Sequence, residues 1–248
     1  MFSENQSNFK LDSKAKQHGT LKQNEAHIWS LFLPSQKGSI NYLHSILSNN
    51  EKEKANNFKY EKDQERFIIT RGTLRSLLAC YLKKKPESIN IIYSQWGKPY
   101  VPEPKTLHFN ISHSGDYSLL AFTRTCEIGV DLELVNNNLE FDEMAETIFS
   151  AAELSHWSKI HSEKKVDYFY KVWVGREAFL KGLGKGWLEN DEVIRETELF
   201  PNTYEDSGSF YKNTYGTLEY FQIIPGYKSA FFTKGATVKP LFINWENS

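Results

Sequence analysis

"YSLLAFTRTCEIGVDLEL" (117–134) holds two apolar runs separated by the polar stretch Arg124 to Glu127. The runs YSLLAFT (117–123) and IGVDLEL (128–134) predict two successive β-strands. The second strand is anomalous. Asp131 and Glu133 lie two residues apart, so their side chains share one face of a strand that is otherwise mainly apolar. Adjacent carboxylates repel, and something must offset that cost. Two explanations stand: an edge strand whose polar face meets solvent, or oxygen ligands for a hard divalent cation such as Mg2+.

The same stretch repeats weakly. Set without gaps against YKSAFFTKGATVKPL (227–241), residues 117–131 bring Tyr, Phe and Thr into coincidence, with Arg124 meeting Lys234 and Ile128 meeting Val238. Two αβ halves related by a pseudo-twofold produce such a repeat. Asp131 and Glu133 correspond to Leu241 and Ile243. The strand's fold therefore does not require the carboxylates.

Outward from this region, HIWSLFL (27–33), INIIYS (89–94) and LHFNIS (107–112) read as further strands. SINYLHSILSNNEKEKANNF reads as an amphipathic helix, and DQERFIITRGTLRSLLACYLKKK (63–85) as a stronger one, with Phe67, Leu74, Leu77, Leu78 and Tyr81 forming its apolar stripe. A helical block follows from about 141 to 183. Ser150 and Glu153 form a capping box within it, and Gly182, Gly184 and Gly186 mark its end. After a loop at 201–216 the chain is mainly β: TLEYFQII, KSAFFTK and VKPLFIN. Residues 1–25 are polar without period and read as a flexible extension.

Of 248 residues, 40% are hydrophobic and 25% charged, which suits a water-soluble globular chain. A net charge of −1 gives no global argument for nucleic acid, so any anion site must be local. Cys80 and Cys126 have neither disulfide-framework nor zinc spacing, which points to a reduced cytoplasmic setting. Neither a signal peptide nor an apolar run of membrane-spanning length is present, and no HExxH, P-loop or GxSxG occurs.

Other segments concentrate chemistry. Trp173, Glu177 and Lys181 are spaced i, i+4, i+8 on one helix face. They form either a surface ion pair or a third carboxylate with a lysine for a phosphate oxygen. Gly97-Lys98-Pro99 presents a lysine in a tight turn, and Asn110, Ser112, His113 and Ser114 cluster where a strand runs out. These form an anion cradle or simple turn chemistry. Arg66, Arg71 and Arg75 recur along the helix at 63–85, as solvated charges or as forks for phosphate.

In order, GKP (97–99), FNISHS (109–114), GVDLE (129–133) and WVGREAFLK (173–181) resemble the motifs of the Sfp-type 4'-phosphopantetheinyl transferases. FSAAE (149–153) and the late GYKSAFF (226–232) extend the resemblance, which runs from about 27 to 244. It implies an α+β fold of two similar halves, 26–126 and 127–248, each with a three-stranded antiparallel sheet and a long helix, about a pseudo-twofold. It implies transfer of phosphopantetheine from coenzyme A to a serine of an apo acyl, peptidyl or polyketide carrier protein, as in holo-[acyl-carrier-protein] synthases. Adenosine 3',5'-bisphosphate is released. Asp131, Glu133 and Glu177 are implied as Mg2+ ligands, and Lys181 as the contact to the transferred phosphate. Lys98, Ser112 and His113 are implied at coenzyme A phosphates, with His113 also stabilising leaving-group charge. Glu177 is implied as the base, and Arg66 and Arg71 near the 3'-phosphate. The family's usual lysine before the glutamate is Arg176 here. Two rivals remain open: a Mg2+-dependent phosphodiester hydrolase and a non-catalytic coenzyme A-binding module. The expected protein is a monomer that binds neither membrane nor nucleic acid.

Overall fold

The computed structural model describes residues 20–185, 210–212 and 214–245. Most of the expected N-terminal extension, Gly186 and much of the 201–216 loop lie outside the described residues. The architecture is mixed α+β. The chain divides into two compact units, one built on Leu31–Asn90 and the other on Lys22–Ser30 with Ile91–Ile243.

The first unit is helical. After strand β1 (Glu25–Phe32) come α1 (Ile40–Ser45), α2 (Asn49–Asn56) and the long α3 (Glu61–Leu82). The single amphipathic helix expected over the first two is broken because Ser48 caps α2 in a complete capping box with Glu51. Helix α3 is more than a one-sided stripe, being buried from Ile68 through Ala79, Arg71 and Arg75 included. It stops at Lys83, which adopts φ 53° and leaves Pro86 in the next turn.

The second unit adds a short ribbon of β2 (Ile92–Tyr93) with β3 (Pro99–Tyr100), then β4 (His108–Ser114), β5 (Tyr117–Thr123) and β6 (Ile128–Leu134). Helices α4 (Phe141–Ile148), α5 (Ala151–Trp157) and α6 (Ser162–Leu183) follow. Four strands close it: β7 (Phe210–Lys212), β8 (Gly216–Phe221), β9 (Tyr227–Lys234) and β10 (Lys239–Trp245). Gly184, at φ 70°, ends α6, while Gly182 lies inside it.

Two four-stranded sheets form, in the orders β10-β1-β5-β4 and β6-β9-β8-β7. Each contains the same three-strand arrangement, β1-β5-β4 and β6-β9-β8, so each has one strand more than expected. The extra strands are β10 from the chain's end and β7. Within each trio, a strand leads into helices that end in a 22-residue helix, and a hairpin returns to pair with the strand. Local detail repeats as well. Glu51, the capping-box residue of α2, pairs with Arg75 of α3, and Glu153, the capping-box residue of α5, pairs with Arg176 of α6.

β6 runs antiparallel to β9 in the register Asp131↔Ala230 and Glu133↔Lys228. Its even residues Ile128, Val130 and Leu132 join a core with Ala26, Ile28, Leu119, Ala121 and Phe231. Its odd residues face α6. This alternation explains how one strand holds both apolar and charged residues.

Candidate active site

Strand and helix meet rung by rung. Two strand residues advance about 6.6 Å and one helical turn about 5.4 Å, so alternate residues of β6 match successive turns of α6. At the first rung, a Cβ on Gly129 would come within 2.0 Å of Ala178 O and 2.3 Å of Gly182 N. Only glycine permits so close an approach. At the second rung, Lys181 Nζ lies 2.6 Å from Asp131 Oδ1 and 3.8 Å from Glu177 Oε2. At the third, Trp173 Nε1 donates to Glu133 Oε1 at 3.3 Å. The i, i+4, i+8 stripe of α6 therefore reads the same-face pair of β6.

The other edge of β6 is joined to β4 by side chains. Asn110 Oδ1 accepts from Val130 N at 2.9 Å, Ser112 Oγ from Leu132 N at 3.3 Å, and Ser114 Oγ from Leu134 N at 3.1 Å. Each serine then donates to the preceding carboxylate: Ser112 Oγ to Asp131 Oδ1 at 2.8 Å and Ser114 Oγ to Glu133 Oε2 at 2.7 Å. Backbone N–H groups at an edge strand need partners, and here a polar ladder supplies them. Lys181 Nζ also donates to Ser112 Oγ, at 3.3 Å.

Electrostatics follow from this crowding. Asp131 is 1% exposed, and burial pushes its carboxyl up to about 7, with Lys181 opposing and the charges of Glu177 and Glu133 adding to the rise. Burial alone would lower the Lys181 ammonium, but Asp131 and Glu177 outweigh it and raise its pKa. Among the described residues, three carboxylates share one ammonium group, and Asp131 Oδ2 is buried with no hydrogen-bond partner. Among the described residues, no three His, Cys, Asp or Glu groups converge closely enough to form a ready-made cation cage.

The other expected site residues are placed differently. His113 is exposed and alternates with Ser112 and Ser114, so it lies on the opposite face of β4 from the ladder. Lys98 Nζ pairs with Glu127 Oε2 at 2.7 Å and donates to Ile128 O at 3.2 Å, while His108 Nδ1 lies 2.9 Å from Glu127 Oε1. The His108 hydrogen bond and the Lys98 ammonium hold the Glu127 carboxyl down to about 2 against burial. In the helical unit, Arg66 pairs with Asp63 at 3.2 Å, and Arg71 Nε lies 3.7 Å from Glu51 Oε1. Arg75, by spacing either a solvated charge or a phosphate fork, is instead buried on Glu51 and on the carbonyls of Pro86 and Ile89.

Arg176 is 1% exposed and bonded to Glu153, whose Oε2 also accepts from Ser150 N at 2.8 Å. About 100° around α6 from Glu177, it anchors the helix instead of lining the carboxylate cluster. Arg176→Met strands a buried carboxylate and is expected to cost about 3–5 kcal/mol. Arg176→Lys, which keeps the charge, is expected to cost less, and urea denaturation measures both. An Arg176→Met variant of wild-type stability would show that the Glu153 contact does not anchor the helix.

Ser114 and Trp173 are the side chains that reading for chemistry missed as partners of Glu133. The signal was present: serines at 112 and 114 repeat with the same period of two as Asp131 and Glu133.

Comparison with known proteins agrees with this construction. Residues 32–125 match the family described as 4'-phosphopantetheinyl transferase, N-terminal, and residues 127–227 match the 4'-phosphopantetheinyl transferase superfamily. The chain is 32% identical over 177 residues to the 4'-phosphopantetheinyl transferase HetI of Nostoc sp., covering 70% of this chain and 75% of that protein. It is 32% identical over 143 residues to the 4'-phosphopantetheinyl transferase Sfp of Bacillus subtilis, covering 57% and 62%. It is 33% identical over 110 residues to the 4'-phosphopantetheinyl transferase AcpT of Escherichia coli, covering 44% and 55%. Motif order, a carboxylate-lysine cluster built from two of those motifs, and relatives matched over most of their length converge: the chain belongs to the Sfp-type 4'-phosphopantetheinyl transferase family.

Proposed function

We propose that this protein moves 4'-phosphopantetheine from coenzyme A to a serine hydroxyl of an apo carrier protein, acting as a monomeric, cytoplasmic holo-[acyl-carrier-protein] synthase. The carrying observation is the convergence of Asp131, Glu177, Lys181 and Ser112 in one cluster. Among the described residues, no helix is long and apolar enough to cross a membrane.

The serine Oγ–P bond forms while the bond from that phosphorus to the bridging pyrophosphate oxygen breaks. Adenosine 3',5'-bisphosphate leaves with the electron pair. Charge neutralisation and in-line placement carry such a transfer. Lys181 holds an oxygen of the transferred phosphate with the ammonium already fixed by Asp131. Glu177 takes the serine proton on its carboxylate. Lys98 and Ser112 hold coenzyme A phosphates, His113 holds one where the donor passes the exposed face of β4, and Arg66 and Arg71 serve the 3'-phosphate.

The donor chemistry suits Mg2+, and binding would have to draw the carboxylates together, since among the described residues no three of them converge. The donors are hard oxygens, negative charge exceeds positive in the cluster, and Asp131 Oδ2 is buried with no hydrogen-bond partner among the described residues. Asp131, Glu133 and Glu177 would hold the ion. When bound, Mg2+ supplies Lewis-acid neutralisation of the pyrophosphate.

Incubation with coenzyme A and Mg2+, with and without an apo carrier protein, tests the reading. Adenosine 3',5'-bisphosphate is expected only when carrier is present. Release without carrier would indicate a hydrolase, and binding without release a non-catalytic module.

A further inference from the structure

Glu133 is held differently from Asp131. Its Oε2 accepts the Ser114 hydroxyl at 2.7 Å, and its Oε1 accepts the Trp173 indole N–H at 3.3 Å. No lysine takes part in either bond. Both donors are themselves fixed. The Ser114 oxygen accepts the Leu134 N–H at 3.1 Å, which leaves its single proton for the carboxylate. The Trp173 ring stacks on Phe169 one helical turn earlier, at 6.3 Å between centroids and 16° between planes. Phe169 is 1% exposed inside the cluster of Phe149, Trp157 and Tyr168. The indole is thus anchored in the α4–α5–α6 core while its N–H points out to β6.

We propose that Ser114 and Trp173 are positioning residues that set the direction of the Glu133 carboxylate, one from the β4 edge and one from α6. The proposal rests on the reading of Glu133 as a cation ligand in the transferase. Two neutral donors on one carboxylate fix its plane while leaving its charge intact, whereas a lysine would cancel the charge needed for a cation. Groups that orient ligands in this way shift metal affinity or activity by roughly 10–100-fold when removed. Ser112 performs a related task for Asp131, but it also fills the buried Leu132 N–H. Its loss would therefore mix folding with orientation. Leu134 is exposed, and water replaces Ser114 as acceptor for its N–H. Ser114→Ala is accordingly the cleaner change.

The test is titration of MnCl2 into the full chain, followed by calorimetry, alongside thermal melting and separate determination of kcat and coenzyme A KM. Variants are Ser114→Ala, Ser114→Thr and Trp173→Phe; the last keeps an aromatic ring on Phe169 but lacks the N–H. Expected results are a Mn2+ affinity and a kcat each lower by roughly tenfold or more for Ser114→Ala and Trp173→Phe. Coenzyme A KM and melting temperature should stay near wild type, and Ser114→Thr should restore both losses. Wild-type Mn2+ affinity in Ser114→Ala and Trp173→Phe would overturn the proposal, as would equal losses in Ser114→Thr. A wild-type chain that transfers without any bound divalent ion would instead overturn the cation reading beneath it. If Ser114→Ala fails to fold, Trp173→Phe decides alone.

Discussion

Asp131→Asn is expected to abolish transfer, by roughly 100-fold or more, while leaving the cation-free protein at least as stable as the wild type. Asp131 is buried near Lys181 and two further carboxylates, and its Oδ2 has no hydrogen-bond partner among the described residues. In the absence of a cation this charge is a cost. The folded carboxyl sits at about 7 against 3.8 for the ordinary group. Between those values the folded state holds a proton that the unfolded chain has lost, so this group's contribution is fully present below about 4 and is lost as pH rises through about 7. The Asn variant lacks that titration. In EDTA its stability advantage should widen from pH 5 to about pH 7 and level off above it, reaching on the order of a few kcal/mol. Urea denaturation across that range measures it. A purely structural Asp131 predicts the reverse: a destabilised variant at every pH that retains transfer wherever it folds.

Gly129→Ala should be among the most damaging single substitutions in the second unit. Its Cβ would meet two backbone groups of α6, Ala178 O at 2.0 Å and Gly182 N at 2.3 Å, and neither can rotate away. Strand and helix would have to separate. Overpacking of this kind costs typically 1–3 kcal/mol, and a clash with backbone belongs at or beyond about 3 kcal/mol. The next rung carries the Lys181–Asp131 contact of 2.6 Å, so separation also disassembles the cluster. The expected result is a lower urea midpoint with transfer lost even in the folded fraction. A variant with wild-type stability and activity would show that β6 and α6 are not held this closely. By contrast, a Cβ on Gly38 would have nothing within 4 Å.

Much of the site was legible because it rests on short-range periodicity. The period of two placed Asp131 and Glu133 on one face, the period of 3.6 placed Trp173, Glu177 and Lys181 on another, and the Ser150–Glu153 capping box was readable from local spacing. What escaped depends on tertiary partners. Arg75 looks like a solvated or phosphate-binding cation, and Arg176 like a stand-in for the family's lysine, until Glu51 and Glu153, 24 and 23 residues upstream, are seen to bury them. Ser112 also has partners that local spacing does not reveal: its hydroxyl accepts from Leu132 N and Lys181 Nζ and donates to Asp131. His113 and Ser112 are neighbours in sequence, and strand alternation sets them on opposite faces of β4. The Glu127 partner of Lys98 follows it by 29 residues, beyond the reach of local spacing. The helical stretch before α3 was split by Ser48, whose cap competes locally with continued helix.

The most direct measurement is the intact mass of apo carrier proteins incubated with coenzyme A, Mg2+ and this protein, with Lys181→Ala run in parallel. The proposed mechanism predicts a gain of one phosphopantetheine group on the carrier serine with the wild type, and a slowing by roughly 100-fold or more with Lys181→Ala. Unchanged carrier masses across acyl, polyketide and peptidyl carriers, with folded wild-type protein and coenzyme A present, would contradict it.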